Sequence, residues 1–281
     1  MRRNNEERLL TGQHKPTPTE DVPPMANPMD FVAPTQIVEL PSRGKYPQNH
    51  PLHNKDSIEI KYMTAKDEDV LSSRSLLKKG LAIDRLIRNL IKDPSIDAGS
   101  LYIGDRNAIM INARASAYGS DYKTTVQCPA CGSTSKFMFD LHDHDTYYAD
   151  EIPENEIKIN DDYTYEIVLP LSKIVTKIRP LTGKDELYLI KKEIDKKSKK
   201  GDSAITDQMK LCVLSFNGYD DEKTINYVID NMVATDARVL RDVFKTISPD
   251  IIMQQNFVCR NCEHEEVIDV PFGTDFFWPD R

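Results

Sequence analysis

The clearest helical pattern lies in the segment LAIDRLIRNLIKD, which covers residues 81–93. Its apolar side chains recur three and four positions apart, with charged side chains between them, at Ile83, Leu86, Ile87, Leu90 and Ile91. An α-helix turns once about every 3.6 residues, so this spacing places one apolar stripe along one helix face. We therefore predict a helix that buries this stripe in a hydrophobic core.

Further helices are predicted where capping residues bound a helical pattern. Thr64 followed by Asp67 is typical of a helix start, and Gly80 of a helix end. DRNAIMINARASAYG predicts a helix that ends at Gly119, and Thr182 can begin another. The helices predicted in the second half of the chain are DELYLIKKEIDKKSKKG, ITDQMKLCVLSF, EKTINYVIDNM and TDARVLRDVFKTI.

Short strands are predicted where apolar and polar positions alternate. SIEIKYM (57–63) has this pattern, as do YTYEIVLPL and KIVTKIRPL, which carry Pro170 and Pro180 near their ends. The segment FVAPTQIVELPSRGKYPQNHPLH is predicted to be extended and rich in turns, because proline and glycine interrupt its apolar runs. Together these patterns indicate an α+β fold, a mainly helical body with short antiparallel strands.

Composition divides the chain into three parts. Residues 1–30 are rich in proline and polar residues, which predicts a flexible arm that orders on a partner or a plain disordered tail. Residues 31–145 hold the extended segment, a helical region and a first cysteine hairpin. The acidic segment DTYYADEIPENE is predicted to be a loop and marks a boundary. Residues 146–281 then hold strands, helices and a second cysteine hairpin that is expected to pack back on the first.

Charge and composition exclude several classes of protein. The net charge of -8 argues against a nucleic-acid binder driven by bulk electrostatics, although a local basic patch stays open. No apolar run approaches the roughly 18 residues needed to span a bilayer, and the polar N-terminus does not resemble a secretory signal. With 5 cysteines, an odd number, a disulfide framework is not expected, and a reducing cytoplasm is the expected compartment.

Two C-x2-C pairs, CPACG and CRNCE, lie far apart in the chain, and each stands between two strand-like runs. We call each C-x2-C pair with its turn a knuckle. Two knuckles brought together supply four thiolates, the tetrahedral set that structural zinc prefers. Gly132 suits the positive φ of a tight knuckle turn. We predict a split zinc-ribbon-like site that joins the C-terminal segment to the middle of the chain, with Zn²⁺ held by Cys128, Cys131, Cys259 and Cys262.

Other interpretations of these residues stay open. As a redox pair, CPAC would need to lie at the start of a helix, whereas the KFMFDL segment that follows alternates like a strand. A third possibility is that the cysteines bind no ligand. His264 is either a further ligand or a surface neighbour. His142 and His144 either bind a metal or lie in a solvated loop, and Cys212 is expected in the core.

The motifs of common enzymes are missing from the sequence. We find no P-loop, no dinucleotide fingerprint, no H-E-x-x-H and no G-x-S-x-G. Four cysteine ligands would also leave no open position on the metal for water or substrate. We therefore predict that the protein is not an enzyme.

Several separated segments resemble one known family. They are IVELPSRGKYPQNHPL, IKYMTAKDEDVLSSRSLLKKGLAIDRLI, LYIGDRNAIMINARASAYGSDYKTTVQCPACG and FVCRNCEHEEVIDVPFGTDFFWP. Their order resembles that of the baseplate proteins of T-even-type (T4-like) contractile-tailed phages, a family that includes a baseplate hub subunit and a hub assembly protein. The resemblance covers most of residues 37–278 and is carried chiefly by LPSRG, GDRNAIMINAR and FFWP.

The resemblance implies a virion structural protein of the tail baseplate, in the hub or at its junction with the wedges, assembled in the host cytoplasm. Its partners would be other baseplate and tail proteins, with no small-molecule substrate, membrane or nucleic acid. One alternative is a transient hub assembly factor that is absent from the mature virion, and a distant one is a nucleic-acid-binding zinc-ribbon protein. The terminal aromatic residues are expected either to dock on neighbours or to fill their own core, namely Phe276, Phe277 and Trp278.

Overall fold

The computed structural model of this chain describes residues 32–153, 156–196, 204–270 and 274–277. The predicted N-terminal arm, most of the lysine-rich KKSKKGD segment and Trp278 lie outside these residues. The chain divides between Ala33 and Pro34, and the helices, strands and cores lie in the unit Pro34–Arg281.

The described part of the chain contains eight α-helices and twelve short strands, besides 3-10 helices at Ala98–Ser100 and Thr274–Phe277. The helices are α1 (Ala65–Ser72), α2 (Arg74–Lys78), α3 (Ala82–Leu90), α4 (Ile103–Tyr118), α5 (Gly183–Lys196), α6 (Ala204–Cys212), α7 (Glu222–Asp230) and α8 (Ala234–Ile247). The strands are β1 (Thr35–Glu39), β2 (Ser57–Lys61), β3 (Asp121–Gln127), β4 (Thr134–Asp140), β5 (Asp145–Tyr147), β6 (Lys158–Ile159), β7 (Tyr165–Val168), β8 (Val175–Ile178), β9 (Val213–Phe216), β10 (Asp250–Ile252), β11 (Gln254–Val258) and β12 (Glu265–Asp269).

The pairings of these strands are all antiparallel. Four sheets have two strands each, β1–β2, β3–β4, β5–β10 and β11–β12, and a fifth has four strands in the order β6-β7-β8-β9. Short antiparallel strands among helices confirm the predicted α+β class.

A first hydrophobic core forms around α3 and α4. Leu86, Ile87 and Leu90 are at most 1% exposed, Ile91 is buried beside them, and Ile83 packs against the same cluster. The stripe predicted from LAIDRLIRNLIKD therefore lies in the core. The far end of the chain returns to this core through β11, β12 and the last 3-10 helix, with Met253, Phe257, Val270, Phe276 and Phe277.

A second hydrophobic core is built from residues 149–247. It combines the four-stranded sheet with α6, α7 and α8, and its most buried side chains include Ile178, Leu240 and Ile247, each 0% exposed. The composition change near residue 146 falls where the chain leaves the first core for the second.

Both threonines that were expected to begin helices do so with the same arrangement. The N–H and hydroxyl of Thr64 donate to Asp67 at 3.0 and 2.8 Å at the start of α1. The N–H and hydroxyl of Thr182 donate to Asp185 at 2.8 Å each at the start of α5. Gly119 follows the end of α4 with φ 84°, a left-handed conformation that favours glycine.

A buried carboxylate attaches the LPSRG turn to the first turn of α4. Asp105 is 0% exposed. It accepts the N–H of Ser42 at 2.9 Å, the Ser42 hydroxyl at 2.6 Å and the Tyr46 hydroxyl at 2.6 Å. Burial raises the pKa of Asp105, and the donors from Ser42 and Tyr46 oppose this shift. Two motifs that carry the family resemblance thus meet in one buried contact.

Two segments differ from the sequence prediction. ITDQMKLCVLSF is predicted to be one helix, but α6 ends at Cys212 and Val213–Phe216 forms β9. This strand completes the four-stranded sheet by pairing with β8. The acidic segment predicted as a loop contains β5, which pairs with β10 about a hundred residues later. In both cases a distant strand supplies the backbone partners, and this overrides the local preference.

Candidate metal centre

The first knuckle connects two strands that pair along their whole length, from Asp121 with Asp140 to Gln127 with Thr134. The N–H of Cys128 donates to the carbonyl of Ser133 at 2.8 Å, and the N–H of Gly132 donates to the carbonyl of Cys128 at 2.9 Å. Gly132 has φ 69°, as predicted for this turn. The knuckle is therefore a closed turn fixed by its own backbone.

The second knuckle repeats this geometry between β11 and β12. The N–H of Cys259 donates to the carbonyl of His264 at 2.9 Å, and the N–H of Glu263 donates to the carbonyl of Cys259 at 3.0 Å. The donors and acceptors occupy the same positions relative to the first cysteine as in the first knuckle. The predicted strand–knuckle–strand unit thus occurs twice.

The two knuckles meet so that their four sulfur atoms form one cluster. The Sγ atoms of Cys128, Cys131, Cys259 and Cys262 all lie within 4.8 Å of one another. Cys128 Sγ lies 3.8 Å from Cys262 Sγ, and Cys131 Sγ lies 3.7 Å from Cys259 Sγ. Four sulfurs bound about 2.3 Å from one zinc ion would be roughly 3.8 Å apart. The spacing is compatible with a tetrahedral metal such as zinc, and it is too long for a disulfide.

The surroundings of the sulfurs favour the thiolate form at two of them. The pKa of Cys131 is lowered to about 5, chiefly by the hydroxyl of Ser133 and then by the Ser133 N–H and the Asn261 amide. The hydroxyl of Ser133 also lowers the pKa of Cys259. At Cys262 the His264 N–H favours the thiolate, but the neighbouring sulfurs, Cys131 first, raise its pKa to about 12. Because metals bind thiolates, occupation of the site would release the protons that remain on the sulfurs.

Packing below the knuckles holds the two hairpins together. The rings of Phe137 and Phe257, one from each hairpin, lie 5.5 Å apart between centroids. The amide nitrogen of Gln255 donates to the carbonyl of Asp140 at 2.6 Å and of Asp143 at 2.9 Å, while its oxygen accepts the N–H of Asp140 at 3.1 Å. The role of Gln255 was not predicted, because a single glutamine in a strand belongs to no recognisable motif.

The histidines near these segments lie apart from the sulfur cluster. Nε2 of His264 lies 3.1 Å from Oε2 of Glu266, which corresponds to the expected surface neighbour. His142 is exposed in the turn after β4, where its N–H donates to Asp140. Cys212 is 1% exposed within the second core, as expected.

Two of the three terminal aromatic residues, Phe276 and Phe277, lie inside the first core. Phe276 and Phe277 are each 4% exposed, and the ring of Phe276 contacts the ring of Tyr122 edge to face with centroids 5.3 Å apart. The guanidinium of Arg114, itself buried in α4, donates to the carbonyl of Phe276. These two rings therefore match the expectation that they fill their own core, because the last 3-10 helix places them against β3. Docking on a partner stays a prediction for Trp278, which lies outside the described residues.

The fold and this site define an α+β protein with a four-cysteine centre assembled from two distant hairpins. A family model described as T4 bacteriophage base plate protein matches residues 33–278, which is most of the chain. The chain belongs to this family and is a phage baseplate component. Membership implies contacts with other phage structural proteins and a location in the virion tail.

No curated protein and no solved structure gave a significant match to the chain. Within the described ranges, the helices are too short or too polar to cross a membrane.

Proposed function

We propose that this chain is a structural component of the contractile tail baseplate, in the hub or at the hub–wedge junction, and that Zn²⁺ staples its first core. The observation that carries the zinc staple is the set of four cysteine sulfurs that all lie within 4.8 Å of one another. Cys131 and Cys259 are 128 positions apart in the chain, and Cys128 and Cys262 are 134 positions apart. The baseplate role is supported by the family match over residues 33–278.

The staple would act on stability rather than on chemistry. A tetrahedral site with four protein ligands has no open position for a substrate, which is the arrangement of structural zinc. Because the unfolded chain cannot hold the four ligands together, the free energy of zinc binding adds to the free energy of folding.

We also propose that the protein has no catalytic activity. Among the described residues, one contact resembles a nucleophile and its base: Nε2 of His50 lies 2.8 Å from Oγ of Ser100. However, Nδ1 of His50 accepts the N–H of Leu52 at 3.2 Å, so a neutral ring carries its hydrogen on Nε2. Burial lowers the pKa of His50 and keeps the ring neutral. A ring that donates to Ser100 cannot take its proton.

Mass spectrometry of purified virions tests the baseplate role. We expect this chain to be present in tails and to cross-link to other baseplate proteins. A chain that is abundant in infected cells but missing from purified virions would overturn the structural role and support the alternative of a transient hub assembly factor. Salt-sensitive DNA binding by the purified chain would favour the nucleic-acid-binding alternative.

Metal analysis of the purified full chain tests the zinc staple. We expect one zinc ion per chain, lost in Cys259→Ser and retained in the control Cys212→Ala, whose sulfur lies in the second core. A metal-free chain whose unfolding midpoint is unchanged by zinc or chelator would exclude the staple and leave the baseplate role untouched.

A further inference from the structure

Two side chains that are not metal ligands contact the sulfurs of the four-cysteine cluster. Ser133 follows the first knuckle, and its hydroxyl oxygen lies 3.0 Å from Cys131 Sγ in the same knuckle. The same oxygen lies 3.5 Å from Cys259 Sγ, which belongs to the other knuckle. The hydroxyl, with its single hydrogen, therefore lies between a sulfur of each hairpin and closer to Cys131.

Asn261 contacts the same two sulfurs from the second knuckle. Its backbone N–H donates to Cys259 Sγ at 3.4 Å in its own knuckle, and its Nδ2 lies 3.7 Å from Cys131 Sγ in the first knuckle. Each knuckle thus sends one polar side chain to a sulfur of the other. Both crossing contacts fall on the same pair of sulfurs, Cys131 and Cys259, which are 3.7 Å apart.

These contacts are not a by-product of the repeated knuckle geometry. Counted from the first cysteine of each knuckle, Asn261 corresponds to Ala130, and Ser133 corresponds to His264. Ala130 has no polar side-chain atom, and the ring of His264 contacts Glu266 instead of a sulfur. Both knuckles close with the same backbone hydrogen bonds, so the crossing side chains are not needed to close the turn.

We propose that Ser133 and Asn261 are positioning residues of the metal centre, which hold Cys131 and Cys259 at ligand distance and slow the loss of the metal. The inference rests on the proposed zinc staple. Four thiolates around one Zn²⁺ carry a net charge of about -2, and hydrogen bonds donated to the sulfurs offset this excess. Because the donors cross between hairpins, they also oppose the separation of the knuckles, which is the motion that releases the ion.

The test measures zinc loss from the full chain. Zinc-loaded wild type, Ser133→Ala, Asn261→Ala and the control His264→Ala are mixed with a colorimetric chelator, and the transfer rate is recorded. We expect about tenfold faster transfer in the first two variants, as is typical when groups around metal ligands are removed. The control should transfer zinc at the wild-type rate, and Ser133→Thr, which keeps the hydroxyl, should restore slow transfer.

A second measurement separates positioning from folding. Co²⁺ in place of Zn²⁺ gives sulfur-to-metal absorption bands whose intensity reports the number of bound thiolates, and circular dichroism reports the fold. Wild-type transfer rates in both Ser133→Ala and Asn261→Ala, or equal acceleration in His264→Ala, would overturn the positioning role while leaving the zinc staple intact. A wild-type chain that binds neither metal would overturn both proposals.

Discussion

Gly132 and Glu263 occupy the same place in the two knuckles and share the same backbone conformation. Each is the residue after the second cysteine, and φ is 69° at Gly132 and 55° at Glu263. The left-handed region suits glycine but is unfavourable for a residue with a Cβ atom. The first knuckle therefore forms without strain, whereas the second forms with a strained glutamate.

This difference predicts opposite effects of substitution at the two positions. A Cβ atom at Gly132 would meet only the Gln127 side chain, at 3.9 Å, so Gly132→Ala has room but the wrong backbone preference. We expect Gly132→Ala to lower the free energy of unfolding by about 1 kcal/mol, and Glu263→Gly to raise it by up to about 1 kcal/mol. Urea unfolding of the zinc-loaded chain measures both. A neutral Gly132→Ala would show that this turn adapts to a side chain.

Removing zinc should loosen two hairpins that are distant in sequence and spare the second core. Hydrogen exchange with and without chelator is the measurement. We expect amides of β3 (Asp121–Gln127) and β12 (Glu265–Asp269) to lose protection together, because each knuckle holds the other. Amides of β7 (Tyr165–Val168) serve as the internal control, since that strand lies in the separate cluster of residues 149–247. Loss of protection confined to the C-terminal hairpin would contradict a shared clamp.

The helix start at Thr182 should become less stable in acid. Burial alone would raise the pKa of Asp185, but the paired Arg179 guanidinium, at 2.6 and 3.0 Å, and the donors of Thr182 lower it below the usual 3.8. A depressed carboxyl pKa adds stability above the unfolded value and loses it as the pH falls through the lower folded value. Asp185→Asn should therefore lower the free energy of unfolding by about 1.5–3 kcal/mol at pH 7. The difference in unfolding free energy between this variant and wild type should become smaller below pH 3.8.

Asp67→Asn is the control for removing a carboxylate from a helix start that has no paired arginine. Asp67 accepts the same two donors from Thr64, but its third partner is the amide of Asn89 instead of a guanidinium. We expect a loss of about 1 kcal/mol, typical of a helix cap. The measurement is the free energy of unfolding of wild type and of both variants from pH 2 to 7. A difference between Asp185→Asn and wild type that stays constant below pH 3.8 would show that the arginine pair is not the source.

The contact between Ser42 and Asp105 should carry more stability than its exposed counterpart. Ser95 presents the same pair of donors, N–H and hydroxyl, to Asp93 at 2.9 and 2.7 Å on the surface. We expect Ser42→Ala to lower the free energy of unfolding by about 1–3 kcal/mol, because it removes a donor from a buried carboxyl group. Ser95→Ala should stay within about 0.5 kcal/mol of wild type. Equal effects in urea unfolding would refute a special role for the buried turn.

Local periodicity was enough to predict several parts of the fold. The stripe of α3, the end of α4 at Gly119 and the strands on both sides of each knuckle follow from spacing and from residue types that favour caps and turns. These features depend on neighbours within a few positions, which the sequence displays directly. The four cysteines were predicted for the same reason, since each C-x2-C pair is a local pattern.

Long-range contacts could not be predicted from those patterns. Val213–Phe216 became β9 because β8 supplies its hydrogen-bond partners, although its own sequence suits the end of a helix. Gln255, Ser133 and Asn261 gained their roles only when the two hairpins met. No spacing rule connects residues that are more than a hundred positions apart, so nothing in the sequence singled them out.

The amino-acid sequence alone specifies two knuckles, the elements that flank them and the α+β class, because backbone preference and side-chain period act over a few residues. The pairing of the knuckles was predicted too, because structural zinc needs four ligands and each knuckle supplies two. Folding adds the choice of Phe276 and Phe277 as core residues and the contact of LPSRG with α4. These contacts depend on which surfaces meet when apolar area is buried. The free energy gained by this burial comes from the assembled cores and not from any local segment.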